Sequence, residues 1–208
     1  MTEDLTRNKD ATQQRILLAA SQILSSHGFA ALGVNTLAKA ALCDKKLIYR
    51  YFEGIDGVIA ALGQDVAQRF VDALNHAVAT APQGWRAFQL ALLDGLLAAY
   101  RQDPLLVRLR AAEIASPEGG FAPFAQARGT LLANWIAENR PMSEPPKGVD
   151  IPAFNAAMIG AVEAAVISAV NSDGFAGLAL RTPQDWNRYH DTMRQIIMAQ
   201  FLDEGTGR

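Results

Sequence analysis

The stretch VNTLAKAALCDKKLIYRYF, residues 34–52, predicts two short helices with a tight connection between them. The first predicted helix covers residues 34–41. Its apolar residues have the i, i+3, i+4, i+7 spacing of a single helix face: Val34, Leu37, Ala38 and Ala41. Leu42 and Cys43 form the connection, and Asp44 is of the residue type that caps a helix by accepting a backbone N–H bond. The second helix is therefore predicted to run to about Phe52.

A longer helix precedes this pair. Asp10, followed by Gln13, resembles a capping box at its start, and Gly28 is suited to its end because glycine tolerates the left-handed conformation. One face of this helix is apolar: Ile16, Ala19, Ala20, Ile23 and Leu24. Two closely joined helices behind a supporting helix are typical of a helix-turn-helix unit, whose second helix fits the major groove of DNA.

The second helix of the pair is amphipathic in the way that groove docking requires. Ile48 and Phe52 lie one turn apart on its inward side, whereas its outward side is basic and aromatic. The candidate DNA-contacting residues are Lys45, Lys46, Leu47, Tyr49, Arg50 and Tyr51, with Asn35 and Thr36 of the preceding helix. The alternative is that the three cations form a solvated helix face without a partner.

Residues 16–62 resemble the N-terminal domain of TetR-type regulators, and many positions match in order without gaps. The matching residues are Ile16-Leu17, Ala19-Ala20, Gly28-Phe29, Val34, Leu37-Ala38, Ala41, Asp44, the run Ile48-Tyr49-Arg50-Tyr51-Phe52, Asp56 and Val58-Ile59. The resemblance covers the N-terminal part of the chain. It implies an all-helical, dimeric, DNA-binding transcriptional regulator.

Three positions depart from the family pattern. Leu32-Gly33 replaces a common Thr-Thr pair whose second member caps the next helix and touches a phosphate. Leu42 stands where the turn has its usual glycine, so a slightly different turn backbone is expected. Ile55 replaces a common lysine and removes another phosphate contact. DNA affinity should therefore depend more heavily on the outward face of the second helix.

The rest of the chain also follows helical periodicity, and strand signals are nearly absent. A long helix is predicted over residues 56–80, followed by five more: 85–101, 104–116, 121–139, 151–172 and 183–202. A Pro-rich surface loop is predicted at 140–152. The expected fold is all-α with about nine helices. It comprises an N-terminal helix-turn-helix DNA-binding domain, residues 1–53, and a C-terminal domain for effector binding and dimerisation, residues 54–208, linked through helix 56–80.

Composition favours a globular protein with a local basic region. The formal net charge is -2, but residues 1–53 carry +2, which leaves -4 for the remainder. A single cysteine, Cys43, excludes an intrachain disulfide and is expected to be a small buried hydrophobe rather than a redox switch. The three histidines look isolated, so neither a metal site nor a cofactor is expected. Without a signal peptide or an uninterrupted apolar run of about 18 residues, a cytoplasmic protein with no membrane association is predicted.

The C-terminal region contains candidates for effector binding. Six aromatic residues are more often plain core, but the family resemblance implies an apolar effector pocket that they could line: Trp85, Phe88, Tyr100, Phe121, Phe124 and Trp135. Glu163 is the one acid in an apolar helix, and a buried carboxylate needs a partner. That partner could be a protein donor, a second chain or a cationic ligand, while an exposed or interface position is the alternative.

The last two helices are expected to form a homodimer interface. Residues 151–172 combine small residues at helical spacing with larger apolar ones, so one partner helix cannot cover the whole apolar surface. Two such helices per chain can pair about a two-fold axis as a four-helix bundle, the interface that the family resemblance also implies. The candidate interface residues are Phe154, Gly160, Ala161, Ala164, Ile167, Trp186, Tyr189, Met193 and Ile197.

The leading hypothesis is a repressor released from a palindromic DNA operator by a small apolar or amphipathic effector. A second hypothesis is a DNA-binding protein of the same fold that is effector-free or responds to another protein. A third, from a different class, is an all-helical enzyme or small-molecule carrier. No nucleophile elbow, phosphate-binding glycine loop or catalytic Cys/His pair occurs, so an enzyme is not expected.

Overall fold

The computed structural model describes residues 2–78, 82–115 and 121–201, with side chains from residue 9 onward. Within these ranges the chain forms nine α-helices, one 3₁₀ turn and one short β-hairpin. The predicted all-α class is confirmed.

Each predicted helix is present. The helices are α1 Thr2–His27, α2 Val34–Ala40, α3 Lys45–Phe52, α4 Ile55–Ala77, α5 Gly84–Gln102, α6 Pro104–Ala115, α7 Ala122–Asn139, α8 Ile151–Ser172 and α9 Pro183–Gln200. The 3₁₀ turn is Phe29–Ala31, and the hairpin strands are β1 Gly174–Phe175 and β2 Leu178–Ala179. The predicted ends of α4, α6 and α9, at residues 80, 116 and 202, lie outside the described residues.

Two local predictions are wrong. Helix α1 begins at Thr2, so Asp10 lies inside the helix and is not its cap. Residues 2–9 contain neither glycine nor proline, and nothing in them interrupts a helix. The β1–β2 hairpin was not expected, because strands of two residues are too short to show alternation. Its turn residues, Ala176 and Gly177, have φ of 49° and 83°, the positive values that two-residue hairpin turns favour.

The chain divides into two compact units. Unit 1 comprises Met1–Gln68 and Pro104–Thr130. Its core contains Ile16, Leu24, Leu37 and Ile48, all at 0% exposure. Unit 2 comprises Arg69–Asp103 and Leu131–Arg208, with α5 packed against α8 and α9. The division falls within α4 and α7, since each of these long helices contributes residues to both units.

Close approaches require glycine in both units, for example at Gly57 and at Gly95. A Cβ added to Gly57 would overlap the carbonyl oxygen of Phe52, so the start of α4 lies directly against the end of α3. In unit 2, a Cβ on Gly95 of α5 would come within 2.8 Å of Leu74 Cδ2 on α4. The first approach holds α3 in position from its C-terminal end.

The last two helices have well-formed caps. The Asp150 carboxylate accepts a bond from the N–H of Ala153 at 3.0 Å at the start of α8. Helix α9 begins with a full capping box formed by Thr182 and Asp185. Hydrogen bonds from the Thr182 backbone and hydroxyl lower the pKa of the Asp185 carboxyl.

By length and composition alone, α8 is apolar enough to cross a membrane. Its most apolar 18-residue window has a mean hydropathy of 1.7, and 33% of that window is buried inside the protein. The same helix buries two polar side chains, Asn155 and Glu163, against the rest of unit 2. One such helix in the described residues is weak evidence for a membrane span, since core helices pass the same test.

Candidate nucleic-acid interface and ligand groove

Helix α3 is fixed in orientation from both ends. At its start the Asp44 carboxylate accepts a bond from the N–H of Lys46 at 2.8 Å, which confirms the predicted cap. At its end Glu53 adopts the left-handed conformation with φ 62°. The inward residues Ile48 and Phe52 are buried at 0% and 8% exposure. The outward face is thereby determined.

The outward face of α3 is basic and open to solvent. Lys45, Lys46 and Arg50 are exposed, and Tyr49 is 55% exposed. The Arg50 guanidinium lies 5.8 Å from the centre of the Tyr51 ring, within reach of a cation–π contact. Within the described part of the chain, neither lysine forms an ion pair. These cations can therefore contact phosphates or guanine edges of DNA.

The other predicted DNA contacts lie beside this face or partly beneath it. Asn35 and Thr36 are exposed on the first turn of α2, whereas Leu47 and Tyr51 are half-buried. Gly33 is the N-cap of α2 and offers no side-chain bond, as the departure from the family pattern predicts.

The connection between α2 and α3 keeps a left-handed residue although it lacks the usual glycine. Leu42 has φ 50°, a left-handed backbone conformation that is strained for leucine. Its side chain is 86% exposed, so little packing compensates for this strain. Cys43 is half-buried rather than fully buried, and burial raises the pKa of its thiol. A raised pKa leaves less of the reactive thiolate, which favours the expected non-redox role.

The predicted aromatic set does not form one cluster. In unit 2, the Phe88 ring lies 6.0 Å from Trp85 and 6.0 Å from Trp135, and Tyr100 lies 5.7 Å from Phe70. In unit 1, the Phe121 ring lies 4.7 Å edge-on from Phe29 and Phe124 is fully buried. The six residues therefore belong to the packed interiors of two different units.

Glu163 is buried and bonded within the chain. The Tyr100 hydroxyl donates to Glu163 Oε1 at 2.6 Å, and the two residues are 2% and 6% exposed. A protein donor is thus present for this carboxylate, one of the partners that the sequence left open.

Unit 2 contains a groove of about 780 Å³ that the sequence did not predict. Its walls are the end of α7, the loop of residues 140–150, the first half of α8 and Trp85 of α5, and we refer to it as the Pro-loop groove. Of the predicted ligand residues, only Trp85 lines it. The Trp85 indole N–H donates to the carbonyl oxygens of Ser143 and Glu144, each at 3.1 Å, and so holds the loop in place.

A pair of buried amides lies at the Pro-loop groove. Asn155 lines the groove and is 6% exposed. Behind it, the Gln89 side-chain NH₂ donates to Asn155 Oδ1 at 2.9 Å, and Gln89 is 0% exposed. Among the described residues, Gln89 Oε1 has no hydrogen-bond partner. The sequence could have indicated this pair only through Asn155, a polar residue in the otherwise apolar helix α8.

A second cleft, of about 460 Å³, lies between α5 and α9. His190, which looked isolated in sequence, contacts Asp94 there, with Nε2 2.6 Å from Oδ1. The Arg101 guanidinium lies 5.2 Å from the Trp186 ring. Among the described residues no group of three or more His, Cys, Asp or Glu side chains could hold a metal ion.

The predicted interface residues fall into two groups. Gly160 is exposed, and a Cβ added to it would have no atom within 4 Å. The partly exposed members are Phe154, Ala161, Ala164, Ile167, Trp186 and Met193. Tyr189 and Ile197 are instead buried within the chain, at 9% and 0% exposure. These two side chains pack inside unit 2 and do not belong to its exposed surface.

The comparisons with known proteins agree with this geometry. The sequence profile of the family described as bacterial regulatory proteins, tetR family, matches residues 16–62. No match to a curated protein was found.

Solved structures share the fold along nearly the whole chain. The fatty acid degradation regulator FadR from Bacillus halodurans is 19% identical with a TM-score of 0.67, over 94% of this chain and 97% of that one. A putative TetR-family transcriptional regulator from Rhodococcus sp. is 17% identical with a TM-score of 0.69, over 90% and 99%. The multidrug binding protein EbrR, complexed with imidazole, is 18% identical with a TM-score of 0.66, over 93% and 97%.

A capped helix-turn-helix with a basic, solvent-exposed second helix defines a DNA-binding transcriptional regulator. Residues 16–62 therefore form a TetR-type DNA-binding domain, and the chain shares its fold with solved TetR-family regulators.

Proposed function

We propose that this regulator is a cytoplasmic, homodimeric repressor that a small apolar or amphipathic effector releases from a palindromic DNA operator. The observation that carries the DNA-binding part is α3, whose cations are exposed on one side while Ile48 and Phe52 anchor the other. A helix held in this way can enter the major groove without reorganising. Lys45, Lys46, Tyr49 and Arg50 are the proposed principal contacts.

The test begins with operator sequences selected from random double-stranded DNA. Lys45→Ala and Lys46→Ala should each weaken operator binding, and a lysine that contacts phosphate should lower the salt slope of binding by about one. Lys147→Ala, an exposed lysine of the 140–150 loop in unit 2, is the matched control and should leave both quantities unchanged. Unaltered operator affinity in the Lys45/Lys46 double variant would contradict the docking of α3.

The homodimer is supported by the exposed small and apolar residues of α8 and α9. Gly160 and Ala164 lie one turn apart, and a helix from a second copy can approach such residues closely. Two recognition helices about 34–36 Å apart would then read successive major-groove faces. Ala164→Arg should give a monomer in sedimentation and abolish operator binding, whereas Ala137→Arg on the exposed side of α7 should remain dimeric. A wild-type monomer that binds its operator would exclude this assembly.

The effector response is supported by the presence of a ligand-sized groove in unit 2 and by two of the similar structures, whose names describe a fatty acid degradation regulator and a multidrug binding protein. An effector that weakens DNA binding must bind the DNA-free form more tightly. A reporter gene downstream of the operator should be repressed by the protein and released by such a ligand. A reporter whose expression rises with the protein would contradict repression.

A further inference from the structure

We propose that the Pro-loop groove binds a neutral, mostly apolar small molecule, to which Asn155 donates a hydrogen bond at an oxygen atom. This inference rests on the proposed effector response and gives it a location and a ligand class. It replaces the six-residue aromatic set with one wall residue, Trp85, and one polar contact.

The groove has the size and surface of a small-molecule site. Its volume of about 780 Å³ falls in the range of about 300–1,000 Å³ that drug-sized ligands occupy. Most of its wall is apolar: Trp85, Ile136, Met142, Val149, Ile151 and Ile159. Phe88 packs against Trp85 and Trp135 packs against Phe88, so two further aromatic rings support that wall.

The amide pair supplies the polar contact. Since Gln89 already donates to Asn155 Oδ1, the group that Asn155 can offer to the groove is its NH₂. Gln89 Oε1 lacks a partner among the described residues although Gln89 is completely buried. An unpaired buried oxygen costs stability, so the amide pair contributes little to the fold. The Asn155 NH₂ at the groove is instead placed to recognise an acceptor atom of a ligand.

The charged groups at the groove favour a neutral ligand. Arg140 and Glu144 line it with one charge of each sign. The third charged residue, Asp150, caps α8 through the N–H of Ala153, where the positive end of the helix offsets its negative charge. A charged ligand would therefore be repelled by one of these side chains and attracted by the other.

The experiment uses four probes with the same apolar body: naphthalene, 2-naphthol, 2-naphthoate and 2-naphthylmethylammonium. Their binding to the full chain is measured by equilibrium dialysis without DNA. We expect 2-naphthol to bind at least about fivefold more tightly than naphthalene, the factor that one hydrogen bond contributes, and more tightly than either ion. Tighter binding of either ion overturns the neutral class, and no binding of any probe overturns the site.

Three variants test the role of Asn155. Asn155→Leu keeps the branched shape of the side chain but removes the donor, so the preference for 2-naphthol over naphthalene should fall to about one. Asn171→Leu changes an exposed asparagine of the same helix outside the groove and should keep the preference. If Asn155→Leu does not fold, the Gln89→Leu/Asn155→Leu double variant leaves no unpaired amide behind. Survival of the preference in either folded variant overturns the hydrogen bond to Asn155.

Operator affinity, measured with and without 2-naphthol, separates this inference from the proposed function. A probe that binds in an Asn155-dependent way and also weakens operator binding supports both. Asn155-dependent binding with unchanged operator affinity keeps the site and contradicts the effector response. Operator binding by a protein that takes up none of the four probes overturns the site alone.

Discussion

Helix α3 and the interior of unit 2 arrange their polar side chains in opposite ways. On α3 the cations Lys45 and Lys46 are exposed, and the apolar residues Ile48 and Phe52 hold the helix from beneath. In unit 2 several polar groups lie inside the protein, among them Gln89 and Glu163. Exposed charges stay hydrated until a partner arrives, whereas buried polar groups must find a partner within the fold. The first arrangement is visible in a sequence, and the second depends on packing.

The buried polar groups of unit 2 also differ among themselves. The Tyr100 hydroxyl and the Glu163 carboxylate form a direct bond at 2.6 Å inside the core. Gln89 and Asn155 form a bond too, but Gln89 Oε1 stays unpaired and Asn155 lines a groove. The Tyr100–Glu163 pair stabilises the fold, whereas the Gln89–Asn155 pair is suited to binding a ligand. The following predictions test this distinction and the contrast with α3.

The largest effect should come from Phe52→Ala on the inward side of α3. Truncating a buried phenylalanine typically costs about 3–5 kcal/mol of unfolding free energy, because it removes apolar contacts and leaves a cavity. Tyr49→Ala on the outward side of the same helix should stay within about 0.5 kcal/mol. Urea unfolding of both variants measures the difference. Similar losses for the two would show that α3 does not have one buried and one free side.

Tyr100→Phe should give the next largest effect. The substitution keeps the ring but withdraws a donor from the buried Glu163 carboxylate, a loss that costs about 1–3 kcal/mol. Tyr49→Phe, which removes a hydroxyl from an exposed ring, is the control and should change stability little. If Tyr100→Phe altered ligand preference in the dialysis assay without lowering stability, Glu163 would belong to binding instead of to the core.

Most of the fold could be predicted because its signals are local. Asp44 caps α3 and Thr182 caps α9 as their residue types indicate, and the apolar spacing of each helix lies within a few turns. The start of α1 could not be predicted, since residues 2–9 lack a stop signal and Asp10 offered a false one. The β1–β2 hairpin is too short to leave a pattern.

The two candidate sites differ in the same respect. On an eight-residue helix, the positions of Ile48 and Phe52 determine which side faces outward, so the outward face of α3 followed from the sequence. No such rule separates a core aromatic residue from a pocket aromatic residue. Trp85 and Phe88 lie one turn apart on α5, yet Trp85 lines the groove and Phe88 is fully buried in the core. The Pro-loop groove depends on how residues 140–150 fold back onto Trp85, which is a long-range contact.

Leu42→Gly should stabilise the protein by about 0.5–1 kcal/mol. The left-handed conformation costs a leucine roughly 1–2 kcal/mol, and glycine avoids this cost. The greater backbone entropy that glycine loses on folding offsets part of the gain. Little apolar burial is lost, because Leu42 is 86% exposed. Leu18→Gly provides a matched control of opposite sign, since Leu18 is 61% exposed inside α1 and glycine there costs about 1 kcal/mol. Thermal unfolding of both variants is the measurement, and a destabilised Leu42→Gly would contradict the assigned turn strain.

The smallest effect at neutral pH is expected for Tyr189→Phe, yet it should grow in alkali. Among the described residues the buried Tyr189 hydroxyl has no partner, so its removal should change stability by less than about 1 kcal/mol at pH 7. Burial raises the pKa of Tyr189 to about 12. Between pH 10 and 12 the unfolded chain releases this proton while the folded chain keeps it, so the folded state loses stability as the pH rises. Urea unfolding from pH 9 to 11.5 should therefore show a steeper fall for the wild type than for Tyr189→Phe. Parallel curves would mean that solvent reaches the hydroxyl, and Tyr189 would then return to the candidate dimer surface.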